Sequence, residues 1–226
     1  LGFVGRNGKG KTTFLNLLLG RYSYYGEIKT PVTFDYFPYS LSSEQKQACA
    51  QEWMQQIKPN SEFWRASCEL MKMNADSELL LQPFAHLSGG EQTKVLLSIL
   101  FSGEQDFLLI DEPTNHLDQE TRDCVKRYLQ EKRGFILVSH DRDLLDCCVD
   151  HILALNKKSI EIQQGNFSSW WENKLRKDNF QLAENTKHMK EIVSLRESAR
   201  RYDQWGHNSE KQKIGKNPVK DHDRSP

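Results

Sequence analysis

Two stretches of this 226-residue sequence carry residues able to do chemistry on phosphate. The first, Gly5-Arg6-Asn7-Gly8-Lys9-Gly10-Lys11-Thr12, sets two glycines five apart and follows them with Lys and Thr. Glycine lets backbone N–H groups approach an anion closely, and the helix that must follow points its positive end at the same place. In such a loop the residues from Gly5 to Thr13 wrap the phosphates, Lys11 reaches the outer two, and the Thr12 hydroxyl ligates Mg²⁺. The second, Asp111-Glu112, closes the apolar run Phe107-Leu108-Leu109-Ile110. At the carboxyl end of a parallel strand an acidic pair faces the crevice where ligands bind. Asp111 suits a place beside Mg²⁺, and Glu112, one residue further, suits a general base for water. Capping the next helix is the plainer reading of that pair, and the company of a phosphate loop weighs against it.

Two more segments fit the same chemistry. Ser139-His140-Asp141 ends the apolar run Phe135 to Val138, so His140 opens onto the same crevice, within reach of a γ-phosphate oxygen. A lone histidine is more often structural, and the other six have no comparable setting. Leu87-Ser88-Gly89-Gly90-Glu91-Gln92-Thr93-Lys94 opens a helix through Val95-Leu96-Leu97. Its exposed N–H groups and the Ser88 hydroxyl make a second anion site, or an ordinary helix cap.

These residues need a parallel sheet to hold them. The runs 107–110 and 135–138 do not alternate, which is the mark of strands covered by helices on both faces, and residues around Gln119 to Gln130 supply the crossover helix between them. Residues 21–39 read as short strands and turns, among them Tyr22 to Ile28 and Val32 to Phe37. Trp53, Ile57, Phe63, Trp64, Leu70 and Met71 recur at helical intervals and predict a small helical subdomain over about 41–100. A hairpin follows at 152–163. From Ser168 to about Trp205 the sequence predicts one long amphipathic helix, with Leu175, Leu182 and Met189 seven apart in a thin seam that wants a partner helix. From Gly206 the composition turns polar and predicts a mobile end.

Composition narrows the class. Hydrophobic residues make up 37% and charged residues 27%, enough apolar material for one core. No run approaches the ~18–20 apolar residues of a membrane helix. The five cysteines contain no Cys-x-x-Cys pair, so neither a zinc site nor a disulfide framework is indicated, and a reducing cytoplasm is expected. Net charge is zero, yet residues 172–226 hold 13 Lys and Arg against 9 Asp and Glu. A basic extension on an acidic body suits an RNA-facing segment as well as a solvated helix face.

The order of phosphate loop, Leu87-Ser88-Gly89-Gly90-Glu91-Gln92, acidic pair and His140 resembles the ATP-binding cassette (ABC) proteins over residues 1 to about 165. That resemblance implies an α/β P-loop NTPase fold with a helical subdomain, ATP and Mg²⁺ as ligands, and a head-to-tail pairing of cassettes. In the pairing Ser88, Gly89, Gly90 and Glu91 serve the ATP held by a partner's phosphate loop. Asp111-Glu112-Pro113-Thr114-Asn115-His116-Leu117-Asp118 is similar to the ABC-F branch, whose members carry two cassettes in one polypeptide, have no membrane domain and act on the ribosome. Asp118 then takes the D-loop position. Gly165-Asn166-Phe167-Ser168-Ser169-Trp170-Trp171-Glu172 looks like the start of the inter-cassette linker, placing the domains at 1–165 and 166–226. The wording, including Phe37-Pro38-Tyr39 and the Trp pair, is similar to members that protect ribosomes from lincosamide, streptogramin A and pleuromutilin antibiotics. Tyr39 stands where that family has its Q-loop glutamine. The strands that would carry an adenine-stacking aromatic, and the second cassette, are not in the sequence, so the expectation is a piece of a longer two-cassette protein. Two other readings stay open: the ATPase subunit of a membrane transporter, and a fragment that binds nucleotide weakly without turnover.

Overall fold

Strands that are apolar on both faces assemble the centre of the molecule. The computed structural model describes residues 1–5, 8, 10–103, 106–156 and 159–214. β1 (Gly2–Gly5), β2 (Thr33–Phe37), β3 (Asp106–Asp111), β4 (Phe135–Val138), β5 (His151–Leu155) and β6 (Ile160–Gln164) form one sheet in the order β2-β3-β4-β1-β5-β6. All neighbours run parallel except β5 and β6, which form the antiparallel hairpin. The lack of alternation in β3 has a direct cause. Leu108 and Ile110 enter one core, and Leu109 enters a second on the opposite face with Phe3, Leu15, Ile136, Val138 and Leu153.

Helix α1 (Lys11–Leu18) lies over the second core, where Leu15 is fully buried and Phe14 meets Phe3 edge-on at 5.2 Å. The first core extends into the helical subdomain: α2 (Ser43–Gln47), α3 (Ala50–Ile57), α4 (Phe63–Lys72), two 3-10 turns, and α5 (Gly89–Leu100). Trp53, Met54, Leu70, Met73 and Leu80 are fully buried there. Helix α6 (Gln119–Gln130) crosses from β3 to β4, and α7 (Arg142–Cys148) follows β4.

The strand expected at Tyr22 to Ile28 does not form. Tyr22, Tyr24, Tyr25 and Ile28 are exposed, and Gly26 takes φ 117°, which interrupts an extended run.

Contacts divide the chain into Leu1–Trp171 and Glu172–Pro226. Helix α8 (Phe167–Ile214) begins inside the first unit, where Trp170 is buried and the rings of Phe167 and Trp171 stack at 6.1 Å. The Arg142 guanidinium lies over both rings, and Asp146 accepts a hydrogen bond from the Ser168 N–H at 2.6 Å. In the second unit the seam residues Leu175, Leu182 and Met189 are exposed. The helix continues to Ile214, past the end expected near 205. One interior glycine costs a helix only about 1 kcal/mol relative to alanine, too little to stop a run otherwise rich in good helix formers. Of the end expected to be mobile from Gly206, residues 206–214 are helical and 215–226 lie outside the described residues.

Candidate nucleotide site

At the carboxyl ends of β1, β3 and β4 lies a cleft of about 390 Å³. Gly8, Gly10, Lys11, Thr12 and Thr13 line it from the loop side, and Asp111, Glu112, Val138 and His140 line it from the strand ends. Residues from three separate stretches of sequence therefore share one wall-to-wall space. Arg6, Asn7 and Lys9 lie outside the described residues. Gly10 caps α1 at φ 92° and Gly8 sits at φ 70°, conformations a side chain resists, so glycine is required there for the loop to turn into the helix. The Lys11 ammonium donates to the carbonyl of Gly5 at 3.0 Å.

One oxygen of Asp111, Oδ2, accepts from two hydroxyls: Thr12 Oγ1 at 3.1 Å and Tyr36 at 3.2 Å. Burial first, and then the Asp111 charge and hydrogen bond, push the Tyr36 hydroxyl up to about 12, so it stays a proton donor at any physiological pH. Beyond β3, Glu112 turns with φ 50°, a left-handed backbone that costs about 1–3 kcal/mol and is held by its own N–H donating to the Val138 carbonyl at 2.8 Å. That turn aims its carboxylate at the end of β4, where Oε2 accepts from the His140 N–H at 3.3 Å. Oε1 stands 3.3 Å from His140 Nε2 without hydrogen-bond alignment and is buried with no hydrogen bond. Burial pushes the Glu112 carboxyl above the usual range; the His140 N–H pulls it back in part, and Asp111 pushes it further up. A buried carboxylate oxygen in need of a donor, with raised basicity, fits a water-orienting base.

The hydroxyl of Thr12 and the carboxylate of Asp111 are the oxygen donors that suit Mg²⁺, which keeps several waters and takes few protein ligands. Among the described residues no cluster of three or more His, Cys, Asp or Glu offers an alternative metal site.

The Ser88 segment is built differently. Ser88 Oγ accepts from the Glu91 N–H at 3.3 Å while Glu91 accepts from the Ser88 N–H at 2.8 Å, a capping box that starts α5 and holds the Glu91 carboxyl below its ordinary value. None of Ser88, Gly89, Gly90 and Glu91 lines the phosphate-loop cleft. Gly89 lines a neighbouring cleft of about 800 Å³, shared with Thr12, Tyr36, Tyr39 and Asp111. A Cβ on Gly90 would meet Thr121 Oγ1 at 2.9 Å, whereas one on Gly89 would meet nothing. Asp118 caps α6, accepting from the Thr121 N–H at 3.1 Å.

Tyr39 donates its hydroxyl to Asp35 Oδ2 at 2.6 Å. The same oxygen receives the ammonium of Lys58 at 2.8 Å, and that ammonium also donates to the Leu100 carbonyl at 2.9 Å. Sequence reasoning missed Tyr36, Asp35 and Lys58. The available signal was a lone Asp between aromatics in Thr33-Phe34-Asp35-Tyr36-Phe37, a polar residue in a strand that borders two cores.

Energy-dependent translational throttle protein EttA of Haemophilus influenzae is 30% identical over 217 residues, covering 77% of this chain and 39% of the relative. The chain spans less than half the length of the curated relatives it matches. A solved complex of archaeal ribosomal stalk protein aP1 with archaeal ribosome recycling factor aABCE1 gives a TM-score of 0.56 at 28% identity, covering 70% of this chain and 32% of that one. An inward-facing metal-chelate type ABC transporter gives 0.60 at 24% identity, covering 72% and 70%, a likeness of fold alone. The family model described as ABC transporter matches residues 1–115, and with that match the chain belongs to the ABC family as an ATP-binding domain.

Proposed function

We propose that this chain binds and hydrolyses ATP and is part of an ABC-F protein that acts on the ribosome. The observation that carries the catalytic half is the single cleft shared by Lys11, Thr12, Asp111, Glu112 and His140. In this reading the glycine loop and Lys11 hold the phosphates, and Thr12 and Asp111 hold Mg²⁺. The metal, when bound, neutralises charge on the phosphate oxygens. Glu112 accepts the proton of the water that attacks the γ-phosphorus, the bond to the bridging oxygen breaks, and phosphate leaves with ADP as the other product. His140, held beside Glu112, donates to a γ-phosphate oxygen. Ser88, Gly89, Gly90 and Glu91 serve nucleotide bound by a second cassette, in keeping with the absence of Ser88, Gly90 and Glu91 from the lining of both clefts. Asp118 lies at the D-loop of that junction.

The ribosomal half rests on what the relatives are named for, translation in one and ribosome recycling in another, and on the 48-residue helix α8, for which a transporter subunit has no use. No helix among the described residues is long and apolar enough to cross a membrane. Protection of the ribosome against antibiotics is the finer proposal, supported by the resemblance of Phe37-Pro38-Tyr39 and Trp170-Trp171 to that subgroup.

Glu112→Gln tests the chemistry. Binding of a fluorescent ATP analogue stays within about twofold of the parent, while any phosphate release falls by 10²-fold or more, the usual worth of a general base. Parental turnover in Glu112→Gln refutes the role. Sedimentation of the full-length protein with membranes rather than ribosomes refutes the partner and favours the transporter reading.

A further inference from the structure

We propose that Tyr36 is a positioning residue for Asp111: its hydroxyl, with that of Thr12, fixes the carboxylate in the orientation that receives the metal. The inference rests on the reading that Asp111 faces Mg²⁺. Three observations carry it. First, Tyr36 and Thr12 donate to the same atom, Asp111 Oδ2, at 3.2 and 3.1 Å, so two hydroxyls from different elements converge on one oxygen. Second, the strand register brings Tyr36 opposite Leu109 and Phe37 opposite Ile110, which sets the phenol beside the last residue of β3 without any loop between. Third, the ring is held on several sides. It packs against the core under α1, and the Arg21 guanidinium lies 5.2 Å over its face while donating to Asn16 Oδ1 at 3.1 Å. A hydroxyl on a rigid ring is a donor with little freedom, and partners of this kind behind a metal-facing carboxylate are typically worth 10–100-fold in metal affinity.

The test uses the 226-residue chain with Mn²⁺ as the metal probe, free Mn²⁺ being followed by electron paramagnetic resonance in the presence of ATP. Binding of ATP alone is measured in EDTA with a fluorescent analogue. Tyr36→Phe keeps the ring and its packing, so its circular dichroism and thermal midpoint report directly whether the fold is intact. The expected result is Mn²⁺ affinity weakened about tenfold, with metal-free ATP binding unchanged. Tyr36→His, which retains a ring with an N–H donor, recovers part of the loss. Asp111→Asn separates the two levels of the argument. Loss in Asp111→Asn with parental affinity in Tyr36→Phe overturns the positioning role and leaves the metal reading standing. Parental Mn²⁺ affinity in Asp111→Asn overturns the metal reading itself. Equal weakening of metal-free and metal-dependent binding in Tyr36→Phe makes the residue a packing element and also overturns the proposal.

Discussion

Replacing Lys58 by Met probes how β2 is tied to the helices beside it. The side chain is 5% exposed, and its partner Asp35 is 19% exposed. The ammonium satisfies two acceptors, the Asp35 carboxylate at 2.8 Å and the Leu100 carbonyl at 2.9 Å. Leu100 is the last residue of α5, where a helix has carbonyls without helical donors, so Lys58 acts as a C-terminal cap from another element. Met fills nearly the same volume and removes only the charge and the donors. What remains is a largely buried carboxylate whose other hydrogen bonds come from the Tyr39 hydroxyl and the Tyr36 N–H. Removing one partner of a buried ion pair costs about 3–5 kcal/mol, and with both groups this enclosed little is recovered from solvent. At this chain size each kcal/mol moves the thermal midpoint by about 2–4 °C, so a fall of roughly 6–20 °C is expected. The assay is thermal unfolding followed by circular dichroism, with urea titration at constant m-value as a check. Asp35→Leu combined with Lys58→Met should regain most of the loss, because an absent pair is better tolerated than half of one. A Lys58→Met variant within 1 kcal/mol of the parent, or a double variant as unstable as the sum of the singles, would show that the pair is not coupled as its geometry implies.

Two further changes separate structural from nucleotide-facing roles. Gly90→Ala puts a methyl 2.9 Å from Thr121 Oγ1 and 3.0 Å from its Cγ2, so rotating Thr121 exchanges one clash for another, and a loss of about 1–3 kcal/mol is expected. Gly89→Ala meets nothing and should be neutral or stabilising by up to about 1 kcal/mol; equal destabilisation of both in urea unfolding contradicts this account. Glu69 links α4 to α6: burial raises its carboxyl, but hydrogen bonds from Lys132, Lys72 and Tyr128 outweigh that and hold it below the ordinary 4.5. A lowered folded value contributes stability above the unfolded value and loses it as pH falls through the folded one. Glu69→Gln should therefore lower the midpoint at pH 7 and flatten its decline below about pH 4.5, and midpoints that track the parent through acid would refute the linkage.

Local chemistry made much of the site legible. Gly10, Lys11 and Thr12 are adjacent in sequence because the loop works through its own backbone, and Asp111 and His140 announce themselves by ending apolar runs. The parallel sheet was readable for a related reason, since strands feeding two cores cannot alternate. Tyr22 to Ile28 has the aromatic content of a strand, but such content acts only through packing against neighbours, and these side chains are exposed. The end of α8 is harder to read because a polar composition after Gly206 suits a mobile segment and a solvated helix alike.

Tyr36 and Lys58 were illegible for a different reason. Each works through one partner far away in sequence, Asp111 and Asp35, and no local pattern encodes such a pairing. Their common element is β2, and its alternation divides the labour. Phe34 and Tyr36 face the core beneath α1, and Tyr36 reaches Asp111, whereas Phe37 enters the opposite core. Asp35 sits between them in sequence and holds Lys58 and Tyr39. One five-residue strand thus carries both the donor behind the acidic pair and the anchor of the helical subdomain. A one-residue slip of β2 against β3 would exchange its faces and break both sets of contacts at once. The register pairing Tyr36 with Leu109 is therefore as much a part of the site as the glycine loop.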